Sequence, residues 1–179
     1  MVTIIFESHS TSVDNEAGLA SGHFDVVLSE LGIRQAKELG ERHRNTKLDA
    51  VFCSDQKRSF MTGEIAFLGR NIPIFKDKRL RECDYGDLTR HLSVEVDGKK
   101  GEHVNTPFPN GESYTQTTDN MKRFLREIAK NYAGKKIMVI GSRATQYALE
   151  YLVNKVDLKT AVTAPWRWQP GWVYILESI

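Results

Sequence analysis

Val2-Thr3-Ile4-Ile5-Phe6-Glu7-Ser8-His9-Ser10 and Lys136-Ile137-Met138-Val139-Ile140-Gly141-Ser142-Arg143-Ala144 are the two stretches whose reading decides the fold. In each, a short apolar run rich in β-branched residues gives way to a polar tripeptide, the pattern of a buried strand that ends in chemistry. In one parallel sheet, Ser8-His9-Ser10 and Ser142-Arg143 would lie side by side at the carboxyl edge, where open α/β sheets place their ligands.

Strand and helix signals alternate along the rest of the chain. Ser29 is an N-cap for a helix to about Arg44 that turns Leu31, Ala36 and Leu39 to the core. Asp49 to Cys53 reads as a second strand, followed by a helix capped by Asp55 that carries Phe60, Met61, Ile65 and Phe67. Ile72 to Phe75 is a third strand, and Thr89 to Gly111, with little periodicity, reads as a long surface excursion of the kind that forms lids. Ser113-Tyr114-Thr115-Gln116 is a capping box, opening a helix with Met121, Phe124, Leu125, Ile128 and Tyr132 that stops at Gly134. After the strand Lys136 to Ile140, a helix presents Ala144, Tyr147, Ala148, Tyr151 and Leu152 on one face. Asp157 caps a shorter helix, and Trp172 to Leu176 forms a last strand. The expected fold is α/β, a three-layer sandwich with a mostly parallel central sheet flanked by helices, in one domain spanning residues 1–179.

Composition narrows the function. A formal net charge of +2 over 179 residues gives no basis for nucleic-acid binding, and Lys76-Asp77-Lys78-Arg79 and Lys99-Lys100 read as solvated surface. The sequence lacks both an apolar run of the roughly 18 residues a span requires and a signal-like amino terminus, so the expectation is a cytoplasmic protein without membrane contact. Cys53 and Cys83 are too few for a disulfide framework. The five histidines show no ligand spacing, so no metal is expected. Trp166, Trp168 and Trp172 surround a Pro-Gly turn, and the reading taken is that they pack the terminal strand onto the core rather than form a stacking platform.

A residue able to do chemistry follows each proposed parallel strand: His9, Arg58, Glu82 and Ser142. Patterning alone would bring a nucleophile, a cation, a carboxyl group and a hydroxyl to one edge, a cup suited to the spread charge of a phosphoryl group.

Five blocks carry a resemblance. They are Ser8-His9-Ser10 with Asp14-Asn15-Glu16-Ala17-Gly18; Ser54-Asp55 with Arg58 and Thr62; Leu80-Arg81-Glu82-Cys83-Asp84-Tyr85-Gly86; Gly111-Glu112-Ser113; and Val139-Ile140-Gly141. In this order the chain resembles the histidine phosphatase (phosphoglycerate mutase-like) superfamily. The resemblance implies a cofactor-free, metal-independent phosphomonoester phosphatase in which His9 is transiently phosphorylated and Glu82 serves as acid and base. It places Arg58, Ser8, Asn15 and Arg143 around the phosphate, and specificity at His23 and Phe24 and in the Thr89 to Gly111 excursion. His23 is either a substrate contact or a solvated loop residue. Ser8 stands where the family usually has arginine and Ser142 where it has its second histidine, so this copy is expected to be impaired. A non-catalytic module that binds a phosphoester or a protein, and a phosphoglycerate mutase-like phosphotransferase, are the alternatives. The expected partner is a small phosphorylated substrate, with an oligomer left open.

Overall fold

Side chains alternate across a strand, and β1 (Val2–Ser8) distributes its residues to two cores on that rule. Val2, Ile4 and Phe6 pack with Met121, Phe124, Leu125 and Ile128 of α5 (Tyr114–Asn131) and Leu149 and Leu152 of α6 (Arg143–Leu152). Ile5 faces the other way, toward Leu39 of α2 (Glu30–Arg42) and Ala66 of α3 (Lys57–Ala66). The computed structural model, which describes residues 1–177, is thus three layers with the sheet in the middle. Ser178 and Ile179, the end of the expected domain, lie outside the described residues.

The sheet order is β3-β2-β4-β1-β5, with β2 Ala50–Cys53, β3 Ile74–Lys76, β4 Lys136–Gly141 and β5 Trp172–Leu176. β1 to β4 run parallel, while β5 pairs antiparallel with β1. Ser8 is in register with Gly141, and the His9 N–H donates to the Gly141 carbonyl at 2.8 Å. The two signature tripeptides therefore leave the sheet side by side.

The helix caps at Ser29, Ser113 and Asp157 are where the sequence puts them; Asp157 opens α7 (Leu158–Thr163). Several expectations need correction. Leu31 and Tyr151 are exposed rather than core, because the inward faces of their helices are centred on Gly32, Ala36 and Leu39 in α2 and on Ala144, Ala148, Leu149 and Leu152 in α6, which leaves both residues at the margin. Asp55 caps nothing: the N-cap of α3 is Gln56, which makes no side-chain cap, and the Asp55 carboxylate instead takes a two-pronged pair from Arg81 at 2.7 and 2.6 Å. Thr89 to Gly111 is not a bare surface loop. It contains α4 (Ser93–Lys99), and its Val96, Val104 and Phe108 join Tyr85, Tyr114 and Tyr147 in a separate apolar cluster. Lys100, expected at the surface, is buried, with its Nζ 2.8 Å from Asp97 and 3.1 Å from the Tyr147 hydroxyl. The remaining short helix, α1 (Val13–Glu16), sits in the first loop.

Candidate active site

A cavity of about 660 Å³ opens over the carboxyl ends of β1 and β4. His9, Ser8, Asn15, Arg58, Glu82, Ser142 and Arg143 all line it, so seven of the nine residues singled out from the sequence come together. His23 and Phe24 do not. The His23 ring lies within hydrogen-bond distance of the Glu82 carbonyl, at 2.9 Å, and 3.5 and 3.6 Å from the carboxylates of Asp84 and Glu112. Phe24 is exposed, with the Arg90 guanidinium 4.5 Å over its ring. Neither side chain is part of the cavity lining.

The position of His9 follows from its neighbours. The Ser10 N–H donates to Thr62 Oγ1 of α3 at 3.0 Å, and Thr62 in turn donates to the Arg58 carbonyl at 2.7 Å. This pins Ser10, whose carbonyl lies 2.8 Å from His9 Nδ1. A carbonyl only accepts, so Nδ1 carries the hydrogen and Nε2 keeps its lone pair for the cavity. Burial, then the positive charge of Arg58 and, more weakly, of Arg143, depresses the His9 pKa to about 3. The ring is neutral throughout the physiological range.

Arg58 is buried and anchored. Nη1 donates to the Phe24 carbonyl at 3.0 Å, while Nη2 donates to the Gly22 carbonyl at 2.8 Å and to Gln56 at 3.1 Å. Among the described residues Nε–H has no such partner, so a guanidinium locked by the first loop still has donors for an anion. Asn15 uses its side-chain oxygen and backbone N–H in a capping box with Ser12, leaving its NH₂ group at the cavity wall. Glu82 is buried and accepts the Cys83 N–H on one oxygen at 2.8 Å, so the other remains for a ligand.

Ser142 is the N-cap of α6 and is only 3% exposed. Its N–H donates to Thr145 Oγ1 at 3.2 Å, yet its own hydroxyl has no partner among the described residues. A buried unpaired hydroxyl is costly, and this one sits where a helix amino terminus favours negative charge. Arg143 lines the cavity but gives both Nη groups to Asp97 of α4, each at 3.1 Å; Asp97 is also held by Lys100. The excursion thus reaches the cup through an ion-pair chain.

Several cavity residues escaped the sequence reading. Tyr85 belonged to a quoted block and is buried, and burial raises its pKa so that the phenol stays protonated. Glu7 is a charged residue in an apolar strand, a signal that was available. Trp166 and Trp168 line the cavity, and Trp168 is exposed; the core reading holds for Trp172, whose ring lies 5.5 Å from Phe6, and for the part of Trp166 that packs against the cluster of Val96, Tyr114 and Tyr147. Among the described residues no group of three His, Cys, Asp or Glu side chains is disposed to hold a metal ion, and no helix is long and apolar enough to cross a membrane.

Comparison with known proteins agrees with this geometry. The family model described as "Histidine phosphatase superfamily (branch 1)" matches residues 4–177. Phosphoserine phosphatase 1 of Hydrogenobacter thermophilus is 30% identical over 166 residues, covering 88% of this chain and 79% of that one. A probable phosphoglycerate mutase, GpmB, of Klebsiella pneumoniae is 31% identical over 148 residues, covering 78% and 69%. The fold is that of Bacillus stearothermophilus YhfR, with a TM-score of 0.84 at 23% identity over 97% of this chain and 90% of that one. With the family model matched over residues 4–177, the chain belongs to the histidine phosphatase superfamily.

Proposed function

We propose that this chain is a phosphomonoester phosphatase scaffold that works through a phosphohistidine at His9 and is impaired by the serine at position 142. The observation that carries the reading is the His9 ring: its proton is fixed on Nδ1 and its Nε2 lone pair stays free at neutral pH, in the cavity shared with Arg58 and Glu82. In the first step Nε2 attacks phosphorus, the ester P–O bond breaks, and the Glu82 carboxylic acid gives its proton to the departing alkoxide. In the second, water attacks phosphorus and passes a proton to Glu82; the P–N bond breaks, and His9 returns neutral. The sum is ester plus water to alcohol plus phosphate. Arg58, Asn15 and the α6 amino terminus hold the phosphoryl oxygens. The kind of substrate that fits is a small phosphorylated alcohol, in keeping with the phosphatase names of relatives.

The rival is a module that binds a phosphorylated ligand without turnover. Its support is that Ser8 and Ser142 are both neutral where the family carries a guanidinium and an imidazole. Turnover of a simple phosphomonoester by the protein and by Ser142→His decides. A missing transition-state donor is worth on the order of 100-fold or more, so restoring the imidazole to an otherwise intact cup is expected to raise the rate by about that factor. A histidine variant that folds equally well and turns over no faster would assign the binding module instead.

A further inference from the structure

The phosphoryl cup accounts for only part of the cavity lining. Gln35, Glu38 and Arg42 of α2 and Trp166 and Trp168 of the loop before β5 line another part. Cavities of roughly 300–1,000 Å³ hold whole ligands of drug size, so about 660 Å³ leaves room for a substantial leaving group beside the phosphate.

This end is built on a buried carboxylate that phosphoryl chemistry does not use. Glu7 is 1% exposed in a strand of apolar neighbours, and it receives the Arg42 guanidinium at 3.2 Å and the His43 Nε2 at 2.7 Å. Burying charge at a strand position that an aliphatic residue would fill is expensive, and it needs a compensating role. Here it fixes Arg42, and Arg42 lies 5.7 Å from the Trp168 ring as a cationic support. Gly171, at φ +75°, brings the tryptophan loop down onto the same carboxylate: a Cβ there would stand 3.4 Å from Glu7 Oε1. The result is an indole held at the cavity lip while 57% exposed. Donors and acceptors share the cavity lining with it. Gln35 has its oxygen committed to the Thr11 N–H at 3.0 Å, leaving the NH₂ free. Glu38 offers carboxylate oxygens, and the buried Trp166 Nε1–H has no partner among the described residues.

We propose that this end is a leaving-group subsite for a hydroxylated ring, so that the ligand is a sugar or cyclitol phosphate. The flat C–H face of such a ring covers an indole, and its hydroxyls take both donors and acceptors at the edge. A short ammonium alcohol would leave the Trp166 and Gln35 donors unanswered. The proposal takes the position of the phosphate from the function proposed above, and the test separates the two.

Dissociation constants are measured by tryptophan fluorescence and calorimetry for inorganic phosphate, glycerol 3-phosphate, phosphocholine, glucose 6-phosphate, inositol 1-phosphate and methyl glucoside. The ring phosphates are expected to bind about tenfold or more tighter than glycerol 3-phosphate, a preference that Trp168→Ala and Trp168→Leu bring close to one. A sugar source and a cyclitol source are told apart by which ring phosphate binds tighter. No ring preference, a preference that survives both variants, or a Trp168-dependent preference for phosphocholine overturns the subsite. Phosphate that fails to bind, beside methyl glucoside that still perturbs Trp168, overturns the phosphoryl cup and leaves the ring subsite standing.

Discussion

His9 shows how one residue's environment sets its chemistry. Burial and two nearby guanidiniums keep its imidazole neutral, lowering the pKa from 6.5 to about 3, and the Ser10 carbonyl keeps its hydrogen on Nδ1. Its ring resonances are therefore expected to stay in the neutral form from pH 8 down to pH 5; an NMR titration centred near 6.5 would contradict the site. The same shift has a sign in stability. Below pH 6.5 the unfolded chain takes up a proton that the native ring refuses. The contribution of a neutral His9 is thus complete above that pH and is lost as pH falls through it toward about 3. The cysteines are the counterexample: both are buried, and burial pushes Cys53 up to about 12 and Cys83 higher than usual, so neither thiol is a ready nucleophile. At this scale the sequence was legible where a residue follows a strand directly, as His9 and Ser142 do. It was not legible for His23, because only the folded loop shows that ring turned onto the Glu82 carbonyl and away from the cavity.

At the scale of elements, α2 matters because its first turn is built into the loop that follows His9. The Ser29 N–H donates to the Thr11 carbonyl at 3.0 Å, two residues beyond His9, and the Ser29 side chain accepts from the Gly32 N–H. Gly32 lies so close that an added Cβ would sit 1.9 Å from the Thr11 oxygen. That is backbone, with no flexible side chain to swing aside. Gly32→Ala is expected to cost about 1–3 kcal/mol and to lower Tm by roughly 3–10 °C, with weaker phosphate binding as the His9 loop shifts. Gly98 in α4 is the control, since a Cβ there meets nothing within 4 Å. Gly98→Ala is expected to hold or raise Tm, by up to about 1 kcal/mol of helix propensity. Equal melting of the two variants would refute the close approach. Capping signals made α2, α5 and α7 readable from the sequence, because the cap is a local contact between near neighbours. The packing of Thr89 to Gly111 was not readable: Val96 lies in α4 but Val104 and Phe108 lie outside any regular element, and the three acquire a common core only against Tyr114 and Tyr147.

Across the whole molecule, the parallel sheet assembles groups that lie far apart in sequence: His9 just after β1, Arg58 from the start of α3, Glu82 from the segment after β3, and Ser142 just after β4. Two crossings of the sheet separate His9 from Glu82 along the chain, so each can be altered without moving the other. Glu82 is therefore the group to test once any turnover is measured. It is buried, one oxygen is held by the Cys83 N–H, and its backbone carbonyl is braced by His23, so the glutamine isostere should keep the loop in place. Glu82→Gln retains the acceptor for Cys83 but cannot deliver a proton to an alkoxide. Aliphatic phosphates, whose leaving alkoxides need that proton, are expected to slow by about 100-fold or more, the usual share of general acid catalysis. Nitrophenyl phosphate, whose leaving group departs as a stable anion, should slow far less, since only attack of water on the phosphohistidine then needs the carboxylate as base. The ratio of the two losses is the measurement. If aliphatic and nitrophenyl esters fall by the same factor, Glu82 is not the acid, and the proton must reach the alkoxide from another group in the cavity, with the buried Tyr85 phenol the nearest alternative in sequence.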